Sequence, residues 1–138
     1  MSTSVYENSR AVIGKFLGAR TDDTVIFTRN TTDSLNLLAR AVPGETVFLD
    51  IEHHANLLPW VAAGGRVVRS GDTLTETLAL VEAELTRSPA ALLTVTGASN
   101  VTGEVMPLAE LAAIAHRHGA RIAVDGAQLV PHRRVNMA

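Results

Sequence analysis

Apolar residues along this chain fall into two rhythms. Short runs that are almost wholly apolar or β-branched alternate with longer stretches in which apolar residues recur every three or four positions. These are the marks of buried strands and amphipathic helices. Residues 4 to 17 put Val5, Val12, Ile13, Phe16 and Leu17 on one side of a helical wheel, and Gly18 closes that helix. Thr24 to Thr28 reads as a first strand, and the polar stretch from Arg29 to Asp33 suits the start of a second helix with a stripe of Leu35, Leu38 and Val42. Pro43-Gly44 breaks it. Thr46 to Asp50 reads as a second strand, followed by a helix that runs to Gly64-Gly65 and a short third strand from Arg66 to Arg69. Leu74, Leu78, Val81 and Leu85 keep helical spacing until Ser88-Pro89. Ala91 to Val95 is the fourth strand; Pro107 opens a helix burying Leu108, Leu111, Ala112 and Ile114, Gly119 closes it, and Arg121 to Asp125 is the fifth strand.

Nearly continuous apolar strands that alternate with amphipathic helices predict an α/β, doubly wound, mostly parallel sheet with helices on both faces. With no repeat, linker or low-complexity stretch, residues 1–138 read as one unit.

In such a sheet, ligands bind beyond the carboxyl ends of the strands. Those places are unusually polar here. Asn30-Thr31-Thr32 follows the first strand, Glu52-His53-His54 the second, Ser99-Asn100 the fourth, and Asp125 with Gln128 the fifth. Two threonines at a helix N-terminus offer hydroxyls beside unpaired backbone N–H groups and the positive end of the helix dipole, which suits a phosphate, although the same pattern also serves as a plain cap. A carboxylate ending an apolar strand, as Asp125 does, needs a cationic or hydrogen-bonding partner. A protonated pyridine nitrogen is one such partner, and Gln128 could reach the same ring from the next turn. His53 reads either as a ring lying flat on a cofactor or as an ordinary loop residue. Adjacent histidines point different ways and no further ligands stand at metal spacing, so no metal site is expected. His116-Arg117-His118 ends a helix, where cationic groups favour the dipole, and reads as structural.

Composition narrows the classes. The net charge of −2 comes from scattered groups, and there is no run of like charge, so neither nucleic acid nor a membrane surface is expected as a partner. The chain has no cysteine, which removes disulfides, thiolate metal sites and a thiol nucleophile from these residues. No signal peptide or membrane-spanning run is evident, and the reading leans cytoplasmic.

Four segments then carry a resemblance: Phe27-Thr-Arg-Asn-Thr-Thr-Asp-Ser-Leu-Asn36, Glu52-His-His-Ala-Asn-Leu-Leu-Pro-Trp60, Ser99-Asn-Val-Thr-Gly103 and Val124-Asp-Gly-Ala-Gln128. In this order and spacing they resemble the class V aminotransferase and cysteine desulfurase family, within the fold-type I pyridoxal 5'-phosphate enzymes. The resemblance implies that Thr31 and Thr32 hold the cofactor phosphate, that His53, the candidate catalytic residue, stacks on the pyridine ring, and that Asp125 pairs with the ring nitrogen. Asn100 and Gln128 would address the phenolic oxygen. Where the family usually has glycine this chain has Asn30, which tolerates left-handed backbone better than most residues.

The resemblance also implies a partial large domain. The family's N-terminal segment, its Ser-Gly-His-Lys-like motif with the lysine that anchors the cofactor, and its C-terminal small domain find no counterpart in residues 1–138, and Lys15 is the sole lysine. Such a polypeptide is expected to be inactive alone. The full-length parent would act on an amino-acid substrate and pair as a homodimer; the alternative is a non-catalytic pyridoxal-phosphate-binding or assembly module. In the family the first strand is separated from the fourth by two strands that follow the lysine motif, so their absence implies a gap of about 14 Å, from three spacings of roughly 4.8 Å. Either strands two to five form the sheet with the first loosely attached, or the first re-pairs. The first case would leave Thr31 and Thr32 without a firm position relative to Asp125.

Overall fold

Four of the five expected strand runs pair with one another. The structure, a computed structural model, describes residues 3–137. Its elements run α1 (Thr3–Leu17), α2 (Thr31–Ala41), β1 (Thr46–Leu49), α3 (His54–Ala62), β2 (Arg66–Val68), α4 (Leu74–Arg87), β3 (Leu92–Thr96), α5 (Leu108–Arg117) and β4 (Arg121–Asp125). The strands form one parallel sheet in the order β2-β1-β3-β4. Helices cover both faces, as the alternation predicts.

The pleat divides the core in two. Val47 and Leu49 of β1, with Leu93 and Val95 of β3, point to a cluster completed by Val81 and Leu85 of α4 and Leu111, Ile114 and Ala115 of α5. Phe48 and Leu92 point the other way, against Trp60 of α3, and Leu38, Ala39 and Val42 at the end of α2 pack on that second cluster. Trp60 is fully enclosed and Phe48 nearly so. Burial of side chains of this size contributes roughly 2–3 kcal/mol each. The packing of α2 on this cluster and on α3 sets where its N-terminus lies.

Local chemistry explains the helix limits. Gly18 has φ 65° and its N–H reaches Lys15 O while Ala19 N–H reaches Gly14 O, so α1 ends as its glycine predicts. Thr73 and Glu76 make a reciprocal capping box at the start of α4. Pro107 precedes α5, and Gly119, at φ 73°, follows it.

Residues 24–28 depart from expectation. They form no strand, and Ile26 and Phe27 are 63% and 40% exposed. A β-branched run becomes a strand only beside a ladder that satisfies its backbone groups, and none of the described residues pairs with it. Instead Phe27 meets Tyr6 of α1 edge-on, with ring centroids 5.1 Å apart. α1 itself buries no residue, and Val12 and Phe16 on its apolar side are 66% and 57% exposed. The segment lies across a groove of about 580 Å³ from β4. Of the two expected arrangements, the first therefore holds. The strand that borders the gap is β4, the fifth run, rather than the fourth, because Leu92–Thr96 is flanked on both sides by β1 and β4.

Candidate functional site

At the carboxyl edge of the sheet a cavity of about 270 Å³ is lined by Thr31, Thr32, His53, Asn100, Asp125 and Gln128. All six residues singled out from the sequence meet there. Thr31 and Thr32 keep their place although the preceding segment is unpaired, because α2 is fixed by packing at its other end and on α3. Thr31, Thr32 and Asp125 thus line one cavity although the run before α2 is unpaired.

Asn30 caps α2. Its φ of −165° and ψ of 175° are ordinary extended backbone, so tolerance of a left-handed conformation is not what lets asparagine stand here. Its Oδ1 accepts the Asp33 N–H at 2.9 Å. That satisfies one orphan donor of the helix and leaves the Thr31 and Thr32 hydroxyls, which no hydrogen bond engages among the described residues. Arg29 forms two hydrogen bonds to Asp33, at 2.6 and 3.0 Å, and holds its carboxyl below the usual range.

His53 is the N-cap of α3, its Nδ1 accepting the Ala55 N–H at 3.1 Å. An Nδ1 that accepts this bond carries no proton, so in this arrangement the ring proton sits on Nε2. The histidine is thus both a cap and a cavity wall. His54 stands 6.2 Å from it, tilted by 43°, and lines an adjoining groove instead.

Asp125 ends β4 opposite Thr96 of β3 and is 5% exposed. Its Oδ1 accepts the Ala127 N–H at 3.0 Å, which turns the chain toward Gln128. Asn100 sits in a turn that Ser99 Oγ organises by accepting the N–H groups of Val101 and Thr102.

Sequence reading named Glu52 among the polar residues at the strand ends but gave it no role. Glu52 is 6% exposed, and its Oε2 accepts from Asn56 Nδ2 at 2.7 Å. Asn56 Oδ1 in turn accepts from Trp60 Nε1 at 2.9 Å and from Thr94 Oγ1 at 2.8 Å. Burial drives the Glu52 carboxyl up to about 7. The detectable signal was the spacing: Glu52, Asn56 and Trp60 fall four residues apart, with Asn56 and Trp60 on one face of α3 and Glu52 in the turn just before it.

The family model for class-V aminotransferases matches residues 1–138. The chain belongs to this family. Among its relatives, a probable cysteine desulfurase of Halalkalibacterium halodurans is 37% identical over an alignment that covers 99% of this chain and 37% of the relative. The chain therefore spans little more than a third of the length of the curated relatives it matches. Among solved structures, the cysteine desulfurase CsdA of Escherichia coli superposes with a TM-score of 0.82 at 32% identity, covering 97% of this chain and 37% of that one. A NifS-like protein of Rickettsia africae reaches 0.86 at 24% identity over 97% of this chain and 39% of its own, a likeness of fold. Enzymes of this family use pyridoxal phosphate. Among the described residues no helix is long and apolar enough to cross a membrane.

Proposed function

We propose that this class-V chain supplies the cofactor-binding part of a pyridoxal 5'-phosphate enzyme, a cysteine desulfurase or aminotransferase acting on an amino-acid substrate. The observation that carries this reading is the convergence of two free hydroxyls at a helix N-terminus, an imidazole, two amides and a buried carboxylate on one cavity. A phosphorylated, protonated pyridine fits that donor set. Thr31 and Thr32 hold its phosphate at the start of α2, where the dipole favours an anion. Asp125 takes the ring nitrogen with the carboxylate oxygen that Ala127 leaves free and keeps a proton there. His53 lies against the ring face, its orientation fixed by the cap to Ala55. Asn100 and Gln128 address the phenolic oxygen. When bound, the cofactor supplies an electron-withdrawing ring for chemistry at the substrate's α-carbon.

Lys15, the sole lysine in these residues, is exposed on α1 and does not line the cavity. The 138 residues by themselves are therefore proposed to bind the cofactor reversibly and not to turn over amino acids. Equilibrium dialysis with pyridoxal phosphate, followed by borohydride treatment and mass measurement, tests both parts. The expected result is saturable binding, lost in Asp125→Asn, with no cofactor left attached after reduction and dialysis. Binding that ignores Asp125→Asn, or none to the folded chain, overturns the assignment.

A further inference from the structure

Behind the ring end of the cavity lies an acid that the reading above does not use. Glu52 sits at the turn between β1 and α3 and is only 6% exposed. Asn56 cannot flip its amide, because Trp60 Nε1 and Thr94 Oγ1 both donate to Oδ1 and leave only Nδ2 to face Glu52. Glu52 Oε2 therefore has a donor of fixed geometry. Oε1, also buried, has no hydrogen-bond partner among the described residues. Asp125 is the charged group set against this carboxyl, with the Thr96 backbone and Asn56 as its other close polar neighbours. No cation among the described residues faces it to stabilise a negative charge.

We propose that Glu52 is a positioning residue that holds a proton on Oε1 and stands as a neutral acid behind Asp125, so that Asp125 is the single anion offered to a bound ring nitrogen. An ionised Glu52 would place a second negative charge near Asp125 in a buried position, with Oε1 lacking a donor among the described residues. The neutral form removes that charge and keeps the Asn56 bond. Burial is the largest cause that raises its pKa to about 7, and the like charge of Asp125 adds to it, while Asn56 and the Thr96 backbone pull the other way. The function assigned to Glu52 rests on the proposed cofactor orientation; its proton and its coupling to Asp125 do not.

Side-chain carboxyl carbons of the glutamate-labelled 138-residue chain, followed by NMR across pH, test this directly. One carboxyl should titrate near neutrality in the wild type, be missing in Glu52→Gln, and shift downward in Asp125→Asn. Glu52→Gln, a neutral isostere, should keep the fold and should bind pyridoxal phosphate with a dissociation constant within threefold of wild type below the Glu52 midpoint. Ordinary titration of every glutamate in the folded chain overturns the proposal, as does a midpoint that ignores Asp125→Asn. Saturating pyridoxal phosphate should lower the wild-type midpoint slightly, since a protonated ring on Asp125 offsets the charge that Glu52 feels, yet leave it above the ordinary glutamate value, because burial, the larger cause, is unchanged; a midpoint that falls to the ordinary value in the complex overturns the neutral acid. An unmoved midpoint with bound cofactor, the Asp125 coupling being intact, overturns the positioning role; failure to bind at all, with that coupling intact, counts instead against the proposed function.

Discussion

Two regions of this chain share the same apolar rhythm and fare differently. Residues 3–28 carry a helix with an apolar side and a β-branched run, yet α1 buries nothing and the run joins no sheet. Residues 46–125 carry similar signals and form a closed two-sided core around β1 and β3. The difference lies in partners: strands β1 and β3 are flanked on both edges, whereas the first run faces a groove across from β4. α2 stands between the two regions. It takes its position from the second by packing on the Phe48 and Trp60 cluster and so delivers Thr31 and Thr32 to the cavity, while its tie to the first is local, Thr28 Oγ1 donating to Asn30 O and meeting Ser34 Oγ.

The sharpest way to break that comparison is to delete one large apolar side chain from each region. Trp60→Ala removes an enclosed ring together with its hydrogen bond to Asn56 and should destabilise by about 3–5 kcal/mol. Phe16→Ala, at a 57% exposed position on the same kind of pattern, should stay within about 0.5 kcal/mol. Denaturant melts of the two variants check it. A comparable loss in Phe16→Ala would mean that α1 belongs to the cooperative core.

The second effect in size is a pH dependence confined to the sheet region. The folded chain holds the Glu52 proton up to about 7, against 4.5 for an unperturbed glutamate. Over that window the folded state binds more protons than the unfolded one, so this contribution is fully present below pH 4.5, falls as pH rises, and is gone above the folded value. A spread of about 2.5 pH units corresponds to roughly 3 kcal/mol. Asp23, Asp33, Glu82 and Glu84, all lowered by arginine partners, act oppositely in acid, so the quantity to measure is wild type minus Glu52→Gln across the window. A flat difference would show that Glu52 ionises normally.

The fold was largely legible because strands β1, β3 and β4 are nearly continuous apolar runs bounded by glycine, proline or polar residues, and the helices between them keep helical spacing. Residues 24–28 misled because local propensity is silent about partners: the same five residues beside a ladder would be a strand. The cavity residues were legible for a different reason. Each follows a strand run at the edge where ligands bind, and parallel pairing with Thr96 opposite Asp125 brings those ends flush. The burial of Glu52 was not legible, because a single acid after a strand looks like a solvated loop residue. Its burial comes from the way α3 folds back to set Asn56 against Thr94, a contact 38 positions apart in sequence.

At the α2 end the expected effects are smaller. Thr32→Ala removes a hydroxyl that bonds nothing within the described residues, so its cost to stability should be slight. A hydrogen bond to a charged phosphate contributes about 1.5 kcal/mol or more, so pyridoxal phosphate affinity should fall roughly tenfold. Equilibrium dialysis of folded Thr32→Ala measures it, and unchanged affinity would remove Thr32 from the phosphate site.

The smallest effect tests the junction between the two regions. Asn30, which lines the cavity, holds with Oδ1 the Asp33 N–H, one of the donors at the start of α2 that have no partner within the helix. Asn30→Gly gives up the side-chain cap at a cost of only a few tenths of a kcal/mol, since glycine is itself a tolerated N-cap. It also releases that N–H to an anionic ligand. Stability should therefore drop slightly while affinity for pyridoxal phosphate, measured by dialysis on the same preparation, holds or rises by a similar margin. A tenfold loss of affinity with the melt unchanged would show that the asparagine contributes directly to the ligand, and that the cavity reaches across into the unpaired N-terminal region.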